Sequence, residues 1–251
     1  VLETNAAAAA LLGVTSDDHA RRGIASPEWR VVNGDGLPLL PTEYASVRAL
    51  TEKRRIENME MGVLRPDETT VWLSVTADLL PVEGYGVVVT YSDITARRAA
   101  EEQVRQMAYF DALTSLPNRR LFLDRLEQTR IASSRSQMWG ALVMIDLDDL
   151  KGLNDNYGHD AGDLFLIEVA RRLREQLRQA DSVARMGGDE FLLVLADLGV
   201  NAVEAGKQAE RVVEKVRLAL SEPYRLAGMV DPYPGSASFG FCLFQGQDVT
   251  V

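Results

Sequence analysis

Cysteine and histidine are nearly missing from this chain. The single cysteine, Cys242, cannot close an internal disulfide, so a reducing, cytoplasmic compartment is expected. The two histidines confine imidazole chemistry to His19 and His159. His19 follows Ser16-Asp17-Asp18 in polar context and reads as a surface residue rather than a haem ligand, and His159, in Tyr157-Gly158-His159-Asp160, as a residue orienting a loop before a helix rather than a general base. Long apolar runs are also lacking. Residues 141–145 and 87–89 fall far short of the ~20 that cross a bilayer, and the N-terminus lacks the basic-then-apolar form of a signal peptide, so no membrane span is expected here. The first residue is not methionine and the last segment stops abruptly, so the sequence reads as a piece of a longer polypeptide. Positive charge is in deficit, with 27 Lys and Arg against 37 Asp and Glu. The net −10 argues against non-specific binding to nucleic acid or an anionic membrane and leaves room for a local basic pocket that holds a nucleotide together with metal ions.

What is present suffices for two domains: 251 residues, 46% of them apolar. Residues 1–95 read as short strands and helices separated by turns such as Asn33-Gly34-Asp35-Gly36 and Arg65-Pro66-Asp67-Glu68. Val71, Leu73 and Val75 alternate with Trp72, Ser74 and Thr76, residues 84–91 repeat the strand signal, and a meandering antiparallel sheet follows. The tract of residues 6–10 is all alanine and suits a short helix. Residues 96–108 lack glycine and proline and form a charged linker helix, on which Ala100, Val104 and Met107 could make a short coiled-coil seam.

From residue 109 to 251 long helices alternate with apolar strands. Pro117-Asn118 starts a helix reaching about Ser133. Residues 141–147 form a nearly continuous apolar strand, as if covered on both faces, that runs into Asp146, Asp148 and Asp149. A helix over 162–179 places Leu166, Ile167, Ala170, Leu173 and Leu177 on one face, and residues 201–220 repeat the amphipathic form. Between two apolar runs, Arg185-Met186-Gly187-Gly188-Asp189-Glu190-Phe191 reads as a tight hairpin with two acids beside its bend. If these strands are neighbours, Asp146 and Asp189-Glu190 form a hard oxygen site of the kind Mg²⁺ shares with phosphates, which is phosphoryl or nucleotidyl transfer chemistry.

These residues carry a resemblance. Asp111-Ala112-Leu113-Thr114-Ser115-Leu116-Pro117-Asn118-Arg119-Arg120, then Asp146-Leu147-Asp148-Asp149-Leu150-Lys151 through Asn154-Asp155 and Gly158-His159 to Gly162-Asp163, and the intact signature from Gly187 to Phe191, make the second half closely resemble the GGDEF diguanylate cyclase family of bacterial signal transduction. The resemblance implies a polymerase-palm-like central sheet flanked by helices and condensation of two GTP to cyclic di-GMP. It implies Mg²⁺, with Mn²⁺ as a substitute, on Asp146, the Leu147 carbonyl and Asp189, and Glu190 either assisting the metal or taking the 3′-hydroxyl proton. Asn154 and Asp163 would read the guanine edge. Lys151 and the loop amides near Asp149 and Leu150 would hold phosphates, and Gly187 and Gly188 belong to the same substrate site. Two such domains must face each other, so a homodimer is the implied active form. Arg178-Gln179-Ala180-Asp181 stands where the family carries an Arg-x-x-Asp product-inhibition site; as bland chemistry, Arg178 and Asp181 could be a surface ion pair. Leu150 replaces a common phenylalanine and Ser115 a common glycine, and the family's final helix, with its basic phosphate-contacting residues, is not reached.

Residues 1–95 resemble a PAS sensor domain through residues 5–13, the Gly34-Asp35-Gly36 turn, the Trp72 strand and the closing Asp93-Ile94-Thr95. The ligand of such a sensor is not legible. The whole is expected to combine an α+β sensor with an α+β or α/β catalytic domain. The alternative is a catalytically silent module that binds GTP or cyclic di-GMP to regulate another domain, such as a phosphodiesterase.

Overall fold

The computed structural model describes residues 3–22, 26, 28–82, 86–246 and 248–250, the last three by backbone only. The chain forms two compact units, Val1–Gln103 and Val104–Val251.

The first unit begins with α1 (Ala6–Leu12). The Asn5 side chain accepts from the Ala8 amide at its start, and Gly13 closes it in the left-handed conformation that lacks a steric penalty only for glycine. α2 (Ser16–Arg21) is capped by Thr15. β1 (Arg30–Val32) precedes α3 (Ala45–Glu52), and β2 (Ile56–Leu64), β3 (Thr70–Leu79) and β4 (Val87–Asp93) complete an antiparallel sheet of order β1-β2-β3-β4. The expected strand over 84–91 is β4, and residues 83–85 lie outside the described residues. The period-two reading of β3 holds: Val71, Leu73, Val75 and Ala77 are buried beneath the helices. Each such valine or leucine contributes about 1.5–3 kcal/mol.

α4 (Thr95–Tyr109) starts where Asp93 accepts from the Thr95 amide and the Thr95 hydroxyl oxygen accepts from the Trp72 amide. Asp93-Ile94-Thr95 therefore fastens the helix to β3. Val104 and Met107 on α4 are 66% and 78% exposed.

In the second unit α5 (Arg119–Ser136) starts at the expected place, the Asn118 carboxamide accepting from the amides of Arg120 and Leu121. It is followed by β5 (Gly140–Leu147), α6 (Leu150–Tyr157), α7 (His159–Gln176), β6 (Ser182–Gly187), β7 (Glu190–Leu195), α8 (Ala202–Ser221), β8 (Ala237–Gln245) and β9 (Asp248–Thr250). The sheet order is β6-β7-β5-β8-β9, and every pairing is antiparallel. On one face Ala141, Val143, Ile145 and Leu147 of β5 share a core with Phe165 and Leu173 of α7 and Val216 of α8. On the other, Phe122 and Leu126 of α5 pack with Leu142, Ala184, Val194 and Phe244. The molecule is thus α+β in both units.

Two expectations change. β5 is covered on both faces only over its first half. Beyond Leu142 the outward side chains have no helix over them, so Met144 is 50% exposed and Asp146 is exposed. α7 begins three residues earlier than expected and ends at Gln176; Leu166, Ala170 and Leu173 lie in the core, whereas Ile167 is exposed because the packed stripe follows 162, 166, 169, 170 and 173.

Candidate functional site

The open half of β5 is where the acidic residues converge. β5 is the middle strand, so Asp146 has a neighbour on each side: Glu190 of β7 opposite it in register, and Ser238 of β8. One residue further, the Leu147 amide donates to the Asp189 carbonyl at 3.1 Å. The backbones of Asp146, Leu147, Asp189 and Glu190 are therefore adjacent.

The turn that brings them there has two loop residues, Gly188 and Asp189, between the paired Gly187 and Glu190. Only Gly188 of these two has positive φ (54°), the requirement of a tight hairpin with glycine first in its loop. Asp189 is thus a turn residue and Glu190 the first residue of a strand, which refines the reading of a Gly-Gly bend with two acids beside it. A register shift between Arg185 and Gly187 bulges the strand leading into the turn.

Arg185 holds this turn from below. Its Nε and Nη2 donate to the Gly188 carbonyl at 3.0 and 2.7 Å, and its Nη1 pairs with Asp111 at 3.2 Å. Asp111 also accepts from the amide and hydroxyl of Thr114. Burial pushes the Asp111 carboxyl up, but the Thr114 hydrogen bonds and the Arg185 charge outweigh it and hold the group below the usual carboxylate range. Sequence reasoning passed over Arg185; an arginine two residues before the paired glycines was the available signal.

Asp148 was counted in the acidic cluster but given no role. It accepts from the hydroxyls of Ser236 at 2.7 Å and Ser238 at 3.0 Å, and its amide donates to the Ser236 carbonyl. It clamps the loop after β5 to the start of β8. Asp149 takes a left-handed conformation (φ 56°) as the residue before α6, and Leu150 turns into the core. Lys151 is exposed on the first turn of α6.

α6 and α7 form a helical hairpin joined at Gly158, which sets Asn154 against the first turn of α7. A β-carbon at Gly162 would collide with the Asn154 side-chain oxygen. That oxygen is buried and has no hydrogen-bond partner among the described residues. A buried polar atom left unpaired costs about 1–3 kcal/mol. Asp163, the residue after Gly162, is exposed beside it. His159 is the first residue of α7 and is exposed.

Arg178 and Asp181 lie elsewhere. They fall beyond the C-terminal end of α7 and before β6, so the length of β6, ~20 Å for six residues, separates Asp181 from the glycine turn. They form no ion pair: the Asp181 carboxylate accepts from the amides of Arg178 at 3.0 Å and Ala196 at 3.2 Å. Arg178, Asp181, Arg125 and Arg174 are among the residues that line an open cleft of about 380 Å³.

The candidate metal donors are all oxygen: the Asp146, Asp189 and Glu190 carboxylates and the Leu147 carbonyl. Among the described residues no three His, Cys, Asp or Glu side chains form a ready-made cage. Few protein ligands suit Mg²⁺ or Mn²⁺, which bind through one or two carboxylates and fill their remaining positions with phosphate and water. The donor set fits such an ion.

The second unit is thus an antiparallel five-stranded α+β domain with carboxylates at a glycine hairpin beside its middle strand. Residues 108–249 match the family described as Diguanylate cyclase, GGDEF domain, and the chain belongs to that family. It is 42% identical over 120 residues to the diguanylate cyclase TpbB of Pseudomonas aeruginosa, covering 48% of this chain and 26% of that protein. It is 40% identical over 156 residues to the bifunctional diguanylate cyclase/cyclic di-GMP phosphodiesterase MucR of the same species, covering 62% and 22%. The chain thus spans about a quarter of the length of these curated relatives. Among solved structures, the coiled coil and GGDEF domain of DgcB from Caulobacter crescentus in complex with c-di-GMP matches with a TM-score of 0.54 and 26% identity, over 62% of this chain and 79% of that one.

Proposed function

We propose that this chain is the sensor and catalytic portion of a diguanylate cyclase that condenses two GTP into cyclic di-GMP. The observation that carries the reading is the pairing of Asp146 with Glu190 across β5 and β7, with Asp189 at the turn beside them. In each half-reaction a GTP 3′-hydroxyl loses its proton and its oxygen bonds to the α-phosphorus of the other GTP, as the bond from that phosphorus to pyrophosphate breaks. Two reciprocal steps close the ring and release two pyrophosphates. Asp146, Asp189 and the Leu147 carbonyl would hold a divalent ion, which supplies positive charge to the phosphate oxygens when bound. Glu190 lies close enough to this group to take the hydroxyl proton or to add a ligand. Asn154 and Asp163 offer the donor and acceptor set of a guanine edge, and the Lys151 ammonium is a point charge for a phosphate. Because each domain holds one GTP, catalysis needs a homodimer, for which Val104 and Met107 on α4 offer an apolar seam.

The first unit is proposed as a PAS-like sensor that acts on this dimer, and the Arg178 cleft as the place where product slows the reaction. Arg125 and Arg178 line it and suit phosphate, while the Arg174 guanidinium donates to the Thr114 and Ser115 carbonyls. A second reading, nucleotide binding that serves a phosphodiesterase on the same polypeptide, draws on the bifunctional relative MucR.

Conversion of GTP to cyclic di-GMP with Mg²⁺ or Mn²⁺, followed by chromatography, tests the proposal. Asp189→Ala should abolish product with an unchanged circular dichroism spectrum, and full activity in that variant would sink the mechanism. GTP binding without product in the unaltered protein would favour the second reading. Arg178→Ala should leave the initial rate intact and remove the slowing as product accumulates.

A further inference from the structure

The last turn of α4 ends in carbonyls that no amide of the same helix can reach. Two of them are taken by one residue further along the chain. The Asn118 side-chain Nδ2 donates to the Ala108 carbonyl at 3.0 Å, and the Asn118 backbone amide donates to the Tyr109 carbonyl at 2.9 Å. The same carboxamide caps α5, its Oδ1 accepting from the amides of Arg120 and Leu121. Asn118 therefore closes the end of one helix and the start of the next. The Arg120 guanidinium, 5.0 Å from the centre of the Tyr109 ring, lies across the same joint.

Between the two helices the chain doubles back on itself. Phe110 and Pro117 form an antiparallel bridge, and the Asp111 amide donates to the Leu116 carbonyl at 2.8 Å. Leu116 and Pro117 are buried, and no glycine stands in residues 108–118. Such a segment has little backbone freedom with which to absorb a displacement of α4. Arg185 grips it twice, by its amide on the Pro117 carbonyl at 3.1 Å and by its guanidinium on Asp111, and the same guanidinium holds the Gly188 carbonyl. Ala108 is thus joined through Asn118, Pro117 and Arg185 to the turn that carries Asp189.

We propose that Asn118 is a positioning residue of the cyclase site: its Nδ2 ties the last turn of α4 to the segment that Arg185 holds, so that the place of α4 sets the place of the Gly188 turn. The role rests on the catalytic reading of Asp189 and Glu190 and adds to it a route by which that site is regulated. Val104 and Met107 are exposed on α4 just before Ala108, so whatever packs on them acts at the head of this route.

Asn118→Asp separates the two duties of the carboxamide. It keeps the oxygen that caps α5 and replaces Nδ2 by a second oxygen facing the Ala108 carbonyl. In the whole chain, hydrogen exchange followed by NMR reads the Arg185 and Leu147 amides, which donate to the Pro117 and Asp189 carbonyls. Both should exchange roughly three- to tenfold faster in the variant, the scale of one lost hydrogen bond. The Asp148 amide, bonded to Ser236 on the β8 side, and the capped Arg120 and Leu121 amides should keep their rates. In GTP conversion kcat should fall by a similar factor while KM for GTP stays within about twofold, because the α6 and α7 residues proposed for base and phosphate are off the route. An Arg185→Met background should remove most of the Asn118→Asp effect on the Leu147 amide. Unchanged exchange at Arg185 and Leu147 overturns the proposal, as does equal acceleration at Asp148, a raised KM with unchanged kcat, or an effect undiminished by Arg185→Met. Absence of cyclic di-GMP from the unaltered chain overturns the catalytic reading instead, and the exchange rates then still decide whether the joint reaches the turn.

Discussion

Replacing Arg185 by methionine keeps the apolar stem and removes the guanidinium that joins Asp111 to the glycine turn. The side chains of Arg185 and Asp111 are only 10% and 23% exposed. At 3.2 Å and an effective dielectric of about 20, the gross attraction is ~5 kcal/mol, and stranding one partner of a buried pair typically costs about 3–5 kcal/mol. Asp111 can recover some water through its exposed quarter and keeps its Thr114 hydrogen bonds, so a loss of about 2–3 kcal/mol is expected. Urea unfolding followed by Trp139 fluorescence, with Trp29 and Trp72 changed to phenylalanine, reports on the second unit. The effect should depend on pH. Asp111 has a depressed folded-state pKa, so its contribution is fully present above the unfolded value near ~4 and fades as pH falls through the lower folded one. The penalty should therefore be constant from about pH 5 to 7 and shrink below about pH 4. Turnover should fall as well, since two of the hydrogen bonds fixing the Gly188 carbonyl are lost. A penalty under about 0.5 kcal/mol at pH 7, or one that does not shrink in acid, refutes the reasoning.

Other substitutions probe separate parts of the chain. Ser115 takes a left-handed conformation (φ 54°) where a glycine is unstrained, so Ser115→Gly should stabilise by about 0.5 kcal/mol and raise Tm by about 1–2 °C in calorimetry. Gly162→Ala should push the Asn154 carboxamide aside and weaken GTP binding at least ~10-fold in titration calorimetry, about the loss of one hydrogen bond to a buried group; unchanged affinity would remove Asn154 from the base site. Arg172 donates to the carbonyls of Ala219, Glu222 and Pro223, stacks on Tyr224 at 3.7 Å and pairs with Glu168, and Arg172→Met should cost about 2–3 kcal/mol in urea unfolding. Glu168 is held down to about 2, first by its hydrogen bond from Arg171, so the stability it adds is complete above about pH 4.5 and lost toward about pH 2; Glu168→Gln should flatten that part of the stability curve.

The parts of the fold that rest on near neighbours in sequence were legible. Alternation placed Val71, Leu73 and Val75 in the core, Asn118 announced α5, and paired glycines between apolar runs announced the hairpin. The failures have distant causes. His19 is buried by Thr4 and Trp29, which its polar neighbours do not reveal. The Asp148 clamp uses serines 88 and 90 residues away, and Arg185 meets Asp111 across 74. The open half of β5 reflects where α5 stops covering the sheet, a fact of packing invisible in a run of apolar letters.

Ser238 joins two elements at once. It stands opposite Asp146 in register while its hydroxyl holds Asp148, so β5, its following loop and β8 share one fastening through both backbone and side chain. Moving that loop would require β8 to give way with it. The glycine turn on the opposite side is tied down by one guanidinium and by the Leu147 amide. The site thus has one side fastened through β8 and the other through a turn held by Arg185 and Leu147.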